Sequence, residues 1–423
     1  MQWNPGVRYR YMTTRIAPFG TLLLSLLTAV ALDACDARMS AGPEIPQTAE
    51  ADAVAAGGAV YKSLHLFAGG ADGANPYDAL TPLGGSLYGV TYGNKIGTGG
   101  YGTVFRVSAS GTETVLYRFA GSPKDGAEPV GKLVVLNGML YGTTYNGGTK
   151  DLGTVFAVDT SGKEHLVYSF QGGSDGTNPA AGLIVISGKL YGTTVDSGGG
   201  SQGDGTVFDV TPSGDEHVLH TFQGYPNDGE SPYGQLLAAG GQLYGTTQSG
   251  GANRYGTIFA ISTAGKEHVV YSFAGAPDDG ALAIGGLIKV GAFFYGTTED
   301  GGSSNDGTVF RVNGAGNESV VYDFKGQPSD GSSPRATLLE MNGLLYGTTY
   351  EGGAESMGSI FETTTSGGEK ILYSFKGEPK DGANPFAGLV TFNGALYGTA
   401  LNGGHHTGGA THPYGGGLFK LTP

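Results

Sequence analysis

Four short apolar runs recur in fixed order along most of the chain: one close to L-I-V-V, then L-Y-G-T-T, G-T-V-F-A-V and V-L-Y-S-F. Turn-forming segments separate them. Asn-Gly or Ser-Gly lies between the first two, a Gly-Gly loop precedes the third, a D-T-S-G-K-E turn the fourth, and D-G-x-x-P leads into the next copy. Apolar runs of strand length, punctuated in this way, predict an antiparallel meander of four strands, termed a, b, c and d below. The Tyr-Gly pair of strand b marks each copy, at Tyr88, Tyr141, Tyr191, Tyr244, Tyr295, Tyr346 and Tyr397, with spacings of 53, 50, 53, 51, 51 and 51 residues. Self-similarity at such a period means that each copy is one supersecondary unit stacked on its neighbours.

Seven such units predict an all-β fold: a seven-bladed β-propeller of four-stranded antiparallel blades spanning residues 59–423. The repeats begin on a lone d strand at residues 60–67 and end on a lone c strand at 418–421. Placed side by side, they complete a seventh blade with the a and b strands of residues 389–399, so the N-terminal outer strand pairs with the C-terminal strand and closes the ring. An open solenoid, the alternative, leaves both half-blades unpaired. Phe105, Phe156, Phe208, Phe259, Phe310, Phe361 and Phe419 form one column in strand c; Phe67, Phe119, Phe170, Phe222, Phe273, Phe324 and Phe375 form another in strand d. These columns, and the Tyr ring of strand b, are expected to pack blade against blade, with the Gly after each Tyr leaving room for a large side chain on the facing blade.

Composition agrees once the repeat is seen. The chain of 423 residues has 80 Gly and 19 Pro, about 23% together, just under the roughly 25–30% at which aperiodic sequence reads as disordered. Gly at every third position is absent, which excludes collagen. A helical protein is excluded too, since each interior Gly costs about 1 kcal/mol relative to Ala. Apolar residues make up 39% and aromatics 10%, enough to build a core.

L-Y-G-T-T-Y-N-G-G followed by G-T-V-F-A-V-D-T-S-G and L-V-Y-S-F in residues 140–170, with six siblings, resembles the GloVer (Gloeo-Verruco) tandem repeat of secreted and surface-anchored bacterial proteins. The resemblance covers about residues 60–423 and implies fold and location, not a chemistry.

The N-terminus is a separate object. Arg8, Arg10 and Arg15 precede an apolar stretch at residues 16–32 that ends in Leu32-Asp33-Ala34-Cys35. Basic region, short apolar region and a small residue before the cut predict a signal peptide over residues 1–34 rather than a membrane span. The ending resembles bacterial lipoprotein signals, which implies lipidation of Cys35, although Asp33 departs from that pattern; an ordinary cleaved signal is the alternative. Residues 35–58 are small and acidic and are expected to form a flexible tether. Cys35 is the only cysteine, so the mature chain contains no internal disulfide. Loss of three Arg and Asp33 takes the net charge from −14 to −16, which argues against nucleic acid and leaves the N-terminal lipid as the expected membrane contact. The expected location is the bacterial cell envelope, or outside the cell.

Positions identical in all seven copies are expected to hold the ring, leaving the positions that differ free for function. Asp72, Asp125, Asp175, Asp228, Asp279, Asp330 and Asp381, each before Gly, are read as turn residues; a ring of structural calcium is the weaker reading, because one carboxylate per blade falls short of the six to eight oxygens calcium takes. No cofactor is expected otherwise. At the mouth of strand a, after the Pro of the d-to-a crossover in six copies and after Ala283 in the fifth, stand Tyr77, Val130, Ala180, Tyr233, Ile284, Arg335 and Phe386. From Tyr to Phe the b-to-c loop spans 15 residues in four blades, 17 in two and 22 in the seventh, where it carries His405, His406, His412 and Tyr414. Blades six, seven and one adjoin in a ring. Tyr77, Tyr233, Arg335, Phe386, His412 and Tyr414 are therefore the expected ligand-binding set on the top face, suited to a saccharide or a protein partner, and in particular to a sugar with a carboxylate or sulfate for Arg335 to pair with. A metal at His405, His406 and His412 is disfavoured because adjacent histidines diverge and no acidic residue of the loop completes a tetrahedral set. The enzymatic alternative is a polysaccharide lyase acting on acidic glycans. Arg335 would neutralise a uronate, His405, His406 or His412 would abstract the C5 proton, and Tyr414 would protonate the leaving oxygen.

Overall fold

A computed structural model describes residues 53–54, 58–93, 100–196, 204–377, 381–403 and 415–423. It is a seven-bladed β-propeller. The meander order a-b-c-d holds in every blade; in blade four, for example, Leu237–Ala239, Gln242–Thr247, Thr257–Ile261 and Glu267–Ser272 are consecutive antiparallel neighbours. Blade seven is assembled from both ends of the repeat region. Val390–Phe392, Ala395–Ala400 and Gly417–Thr422 supply a, b and c, and Val60–Leu66 pairs antiparallel with Gly417–Thr422 as strand d. Ring closure is thus as read from the sequence. One addition was not: within the expected tether, Ala53–Val54 pairs with Val60–Leu66 as a fifth strand, covering the outer edge that strand d otherwise presents to solvent.

The core is seven seams rather than one mass, because each blade can bury its apolar faces only against its neighbours. At every seam the strand d Phe of one blade meets the strand c Phe of the next edge to face, from Phe67–Phe105 at 5.2 Å to Phe375–Phe419 at 5.3 Å, with centroid separations of 5.0 to 5.3 Å throughout. The glycine of strand b serves a different neighbour from the one expected. A Cβ on Gly245 would lie 2.4 Å from Phe259 Cζ and 3.0 Å from Leu236 Cδ2. Phe259 is the cross-strand partner of Gly245 in the same blade, so the missing side chain admits the blade's own Phe and not the facing one.

A second contact recurs where strand d carries a β-bulge. The carbonyl of the bulged residue, Val270 in blade four, lies 2.5 Å from the Cβ that Gly316 of the next blade's c-to-d turn would carry. Gly316 also has φ 81°, so close approach and turn geometry both exclude a side chain there.

Each Asp of the Asp-Gly turns closes its crossover. Asp279 accepts the N–H groups of Gly280 and Ala274 at 2.7 and 2.6 Å and the hydroxyl of strand d Tyr271 at 2.9 Å. Tyr117, Tyr168, Tyr322 and Tyr373 donate likewise to Asp125, Asp175, Asp330 and Asp381, while His65 and His220 stand in for Tyr against Asp72 and Asp228. The next blade adds a glutamate at six seams: Glu113, Glu164, Glu216, Glu267, Glu318 and Glu369 each bury an Oε1 that has no hydrogen-bond partner among the described residues. At the closing seam Tyr61 takes that place, donating to Asp381 and stacking on Tyr373 at 3.7 Å.

Candidate functional site

The crossover and the b-to-c loop share one face of the ring and pair with each other. Gly229–Glu230 bonds to Ser249–Gly250, and Gly280–Ala281, Gly331–Ser332 and Gly382–Ala383 do the same with their own loops. The residue two after each Asp-Gly (Asn75, Glu128, Asn178, Ser231, Leu282, Ser333, Asn384) is left-handed in all seven blades, with φ from 54 to 59°. Its N–H bonds to a carbonyl of the preceding blade, as from Asn178 to Leu152 at 2.8 Å. Where it is Asn the side chain bridges as well, Asn178 Nδ2 reaching the Tyr145 carbonyl at 2.9 Å. The residue two after the left-handed one comes to the axis of the ring in six blades.

Tyr77, Ala180, Tyr233, Ile284, Arg335 and Phe386 accordingly line a central cavity of about 520 Å³. Val130 does not; it is buried in its blade, and Lys132 stands on the wall instead. Lys132 faces Asp78 of blade one. Burial lowers the lysine's pKa and raises that of the carboxyl, and each group's charge partly offsets the other's shift.

The expected neighbours of blades six, seven and one do come together. Tyr77 and Phe386 lie 4.7 Å apart, and the Arg335 guanidinium is 5.7 Å from the Phe386 ring. Sequence comparison of the crossovers alone missed the second half of the site, which comes from the first residue after strand b. Tyr350 stacks beneath Arg335 at 3.9 Å, Tyr92 packs on Tyr77 at 5.5 Å, and Tyr145 lies in the same field. Position for position these are Tyr92, Tyr145, Val195, Gln248, Glu299, Tyr350 and Leu401, as variable as the crossover set, and the same comparison between copies would have found them.

Glu299 matters most among them. Its Oε1 accepts from Arg335 Nη2 at 2.6 Å, with both side chains largely buried, so the cation of the mouth is already compensated. Arg335 Nε is buried and has no partner among the described residues. Tyr92 donates to Glu128 at 2.9 Å, and Asn146 donates to the same carboxylate. The mouth is therefore an aromatic arc, from Arg335 through Phe386 and Tyr77 to Tyr92, ended by the carboxylates of Glu299 and Glu128. Burial and then the neighbouring Tyr233 raise the Tyr77 hydroxyl; burial and then Glu128 raise Tyr92; burial followed by Asp196 and Glu299 pushes Tyr233 up to about 12. All three stay protonated through the physiological range and offer neutral hydroxyls. His405, His406, His412 and Tyr414, expected beside this arc, lie outside the described residues, as does Cys35.

Fold and mouth define a closed seven-bladed propeller whose repeated positions hold the ring and whose variable positions meet at its axis. The chain belongs to the Gloeobacter/Verrucomicrobia repeat family, whose model matches residues 53–201 and 187–412. No curated protein matches it. Among solved structures, a virginiamycin B lyase from Staphylococcus aureus is similar at a TM-score of 0.55 and 13% identity, over 86% of this chain and 99% of that one. A gluconolactonase from Xanthomonas campestris has a TM-score of 0.44 and 13% identity, over 90% and 98%. At such identities the likeness is one of fold.

Proposed function

We propose that this protein is an exported propeller, tethered to the cell envelope through Cys35, that binds a neutral saccharide at the mouth of its central channel. The observation that carries the reading is the aromatic arc. Tyr77, Phe386 and Tyr92 present ring faces of the kind on which the apolar face of a pyranose stacks, and protonated tyrosine hydroxyls surround them to exchange hydrogen bonds with sugar hydroxyls. Arg335 is bound to Glu299, so an acidic glycan would have to displace a buried ion pair before meeting the guanidinium. This favours a neutral ligand over a uronate, and with it a binder over a lyase that relies on Arg335. The repeat family is consistent with export.

Affinity electrophoresis through gels containing cellulose-, xylan-, chitin- or uronate-type polysaccharides tests the reading. Retention is expected on a neutral polysaccharide and lost when Tyr77 and Tyr233 are both changed to Ala, with the melting temperature preserved. In Glu299→Gln the freed guanidinium is expected to bring new retention on the uronate polymer. Equal migration of wild type and the double variant in every gel would remove the ligand from the mouth. Metabolic labelling with palmitate is expected to mark the wild type and not Cys35→Ala.

A further inference from the structure

Six of the inter-blade seams share one backbone and one pair of carboxylates, and differ in the third group that meets them. Where that group is Tyr, its hydroxyl donates to the Asp. A phenol held protonated by burial is a poor metal ligand near neutral pH. At two seams it is His. His65, Asp72 and Glu113 meet between blades seven and one, and His220, Asp228 and Glu267 between blades three and four; in each set the ligand atoms all lie within 4.8 Å of one another. Among the described residues these are the two groups of His and carboxylates arranged in this way.

We propose that these two seams are binding sites for a divalent transition metal of the zinc type, each bracing one blade to the next. Metal–ligand bonds of about 2.0–2.1 Å in a tetrahedron separate neighbouring ligand atoms by about 3.3 Å. His220 Nε2 lies 3.0 Å from Asp228 Oδ2 and 3.9 Å from Glu267 Oε2, and His65 Nε2 lies 3.1 Å from Asp72 Oδ1. Small rotations of the side chains bring the three donors to that separation. The Glu267 side chain is 10% exposed, and among the described residues neither its Oε1 nor that of Glu113 has a hydrogen-bond partner. Backbone N–H groups of Gln223 and Gly229 orient Asp228 from behind, and that of Ala68 orients Asp72. One imidazole and two carboxylates give three protein ligands, with a fourth position left for water. The first site pins strand Val60–Leu66, which closes the ring, to blade one.

The internal repeat supplies the control, since His65→Tyr and His220→Tyr install the residue that other seams already carry. Chelator-stripped protein is titrated with zinc by calorimetry, alongside the double variant. Wild type is expected to bind two more equivalents than the variant, and His220→Tyr alone is expected to lose one of the two. Zinc should raise the melting temperature of wild type and leave that of the double variant unmoved, while cobalt(II) gives visible d–d absorption in wild type that exceeds the variant's. Equal zinc stoichiometry in wild type and a folded double variant overturns the proposal.

Discussion

At the four seams where a glutamate and an aspartate meet a Tyr, the glutamate is half-buried, and the consequence is a protein that loses stability as the solution becomes alkaline. Burial first, and then the facing Asp125, Asp175, Asp279 or Asp330, raises Glu164 and Glu369 to about 7 and Glu216 and Glu318 to about 8, from an ordinary value of 4.5. The folded chain therefore keeps protons that the unfolded chain releases above pH 4.5. Stability falls as pH rises from 4.5 through 7 to 8 and levels off beyond. Transmitted in full, a shift of this size is roughly 3–5 kcal/mol per group. These side chains are only partly buried, and solvent screening reduces the figure to about 1 kcal/mol each, or about 4 kcal/mol for the four. Guanidinium unfolding at pH 5.5 and 8.5 measures it: the midpoint should drop at the higher pH with the slope m unchanged. Glu318→Gln, which carries a donor where the protonated acid does, should stabilise by about 1 kcal/mol at pH 8.5 and change little at pH 5.5. A midpoint that is flat or rises toward pH 8.5, or a fourfold Gln variant that keeps the full pH dependence, would refute the reasoning.

Three further outcomes follow from individual positions. Leu282 holds φ 59° where other blades use Asn; Leu282→Asn should stabilise by about 1 kcal/mol in thermal unfolding, through relief of the left-handed strain and a bridge to the preceding blade. Gly245→Ala places a Cβ 2.4 Å from the Phe259 ring and should cost about 1–3 kcal/mol by the same measurement. Tyr61→Phe keeps the stack on Tyr373 but loses the hydroxyl to Asp381, and should cost about 1–3 kcal/mol; Tyr61→Ala, losing both, should also increase proteolysis of residues 53–66.

The ring was legible because its determinants are repeated. Seven Tyr-Gly pairs set the period, two Phe columns marked the seams, and the orphan d and c strands at either end announced the closure through Val60–Leu66 and Gly417–Thr422. Tyr77, Arg335 and Phe386 were visible as variable positions for the same reason, and the structure brings them together. What escaped depends on direction across a sheet or on phase between neighbouring blades. Gly245 shows its spacing in the sequence but not that its empty side faces Phe259 of its own blade. Glu299 lies 36 residues before Arg335, in the loop of the preceding blade, so their pairing appears only when the two blades are set side by side. The seam glutamates sit in a turn motif that reads as solvent-exposed, and the exposed His165, His217 and His268 beside them strengthen that impression; in the structure each is the first residue of strand d, with its carboxylate beside the Asp of the preceding crossover.

The division between repeated positions that hold the ring and variable positions that bind has one direct measure, the number of ligands per ring. Calorimetric titration with cellohexaose, xylohexaose or chitohexaose, taking whichever matches the polysaccharide that retains the protein, should give one site per propeller, abolished by Tyr77→Ala with Tyr233→Ala. A stoichiometry near seven, or a single site untouched by those substitutions, would place recognition on the repeated surface and contradict the assignment of the mouth.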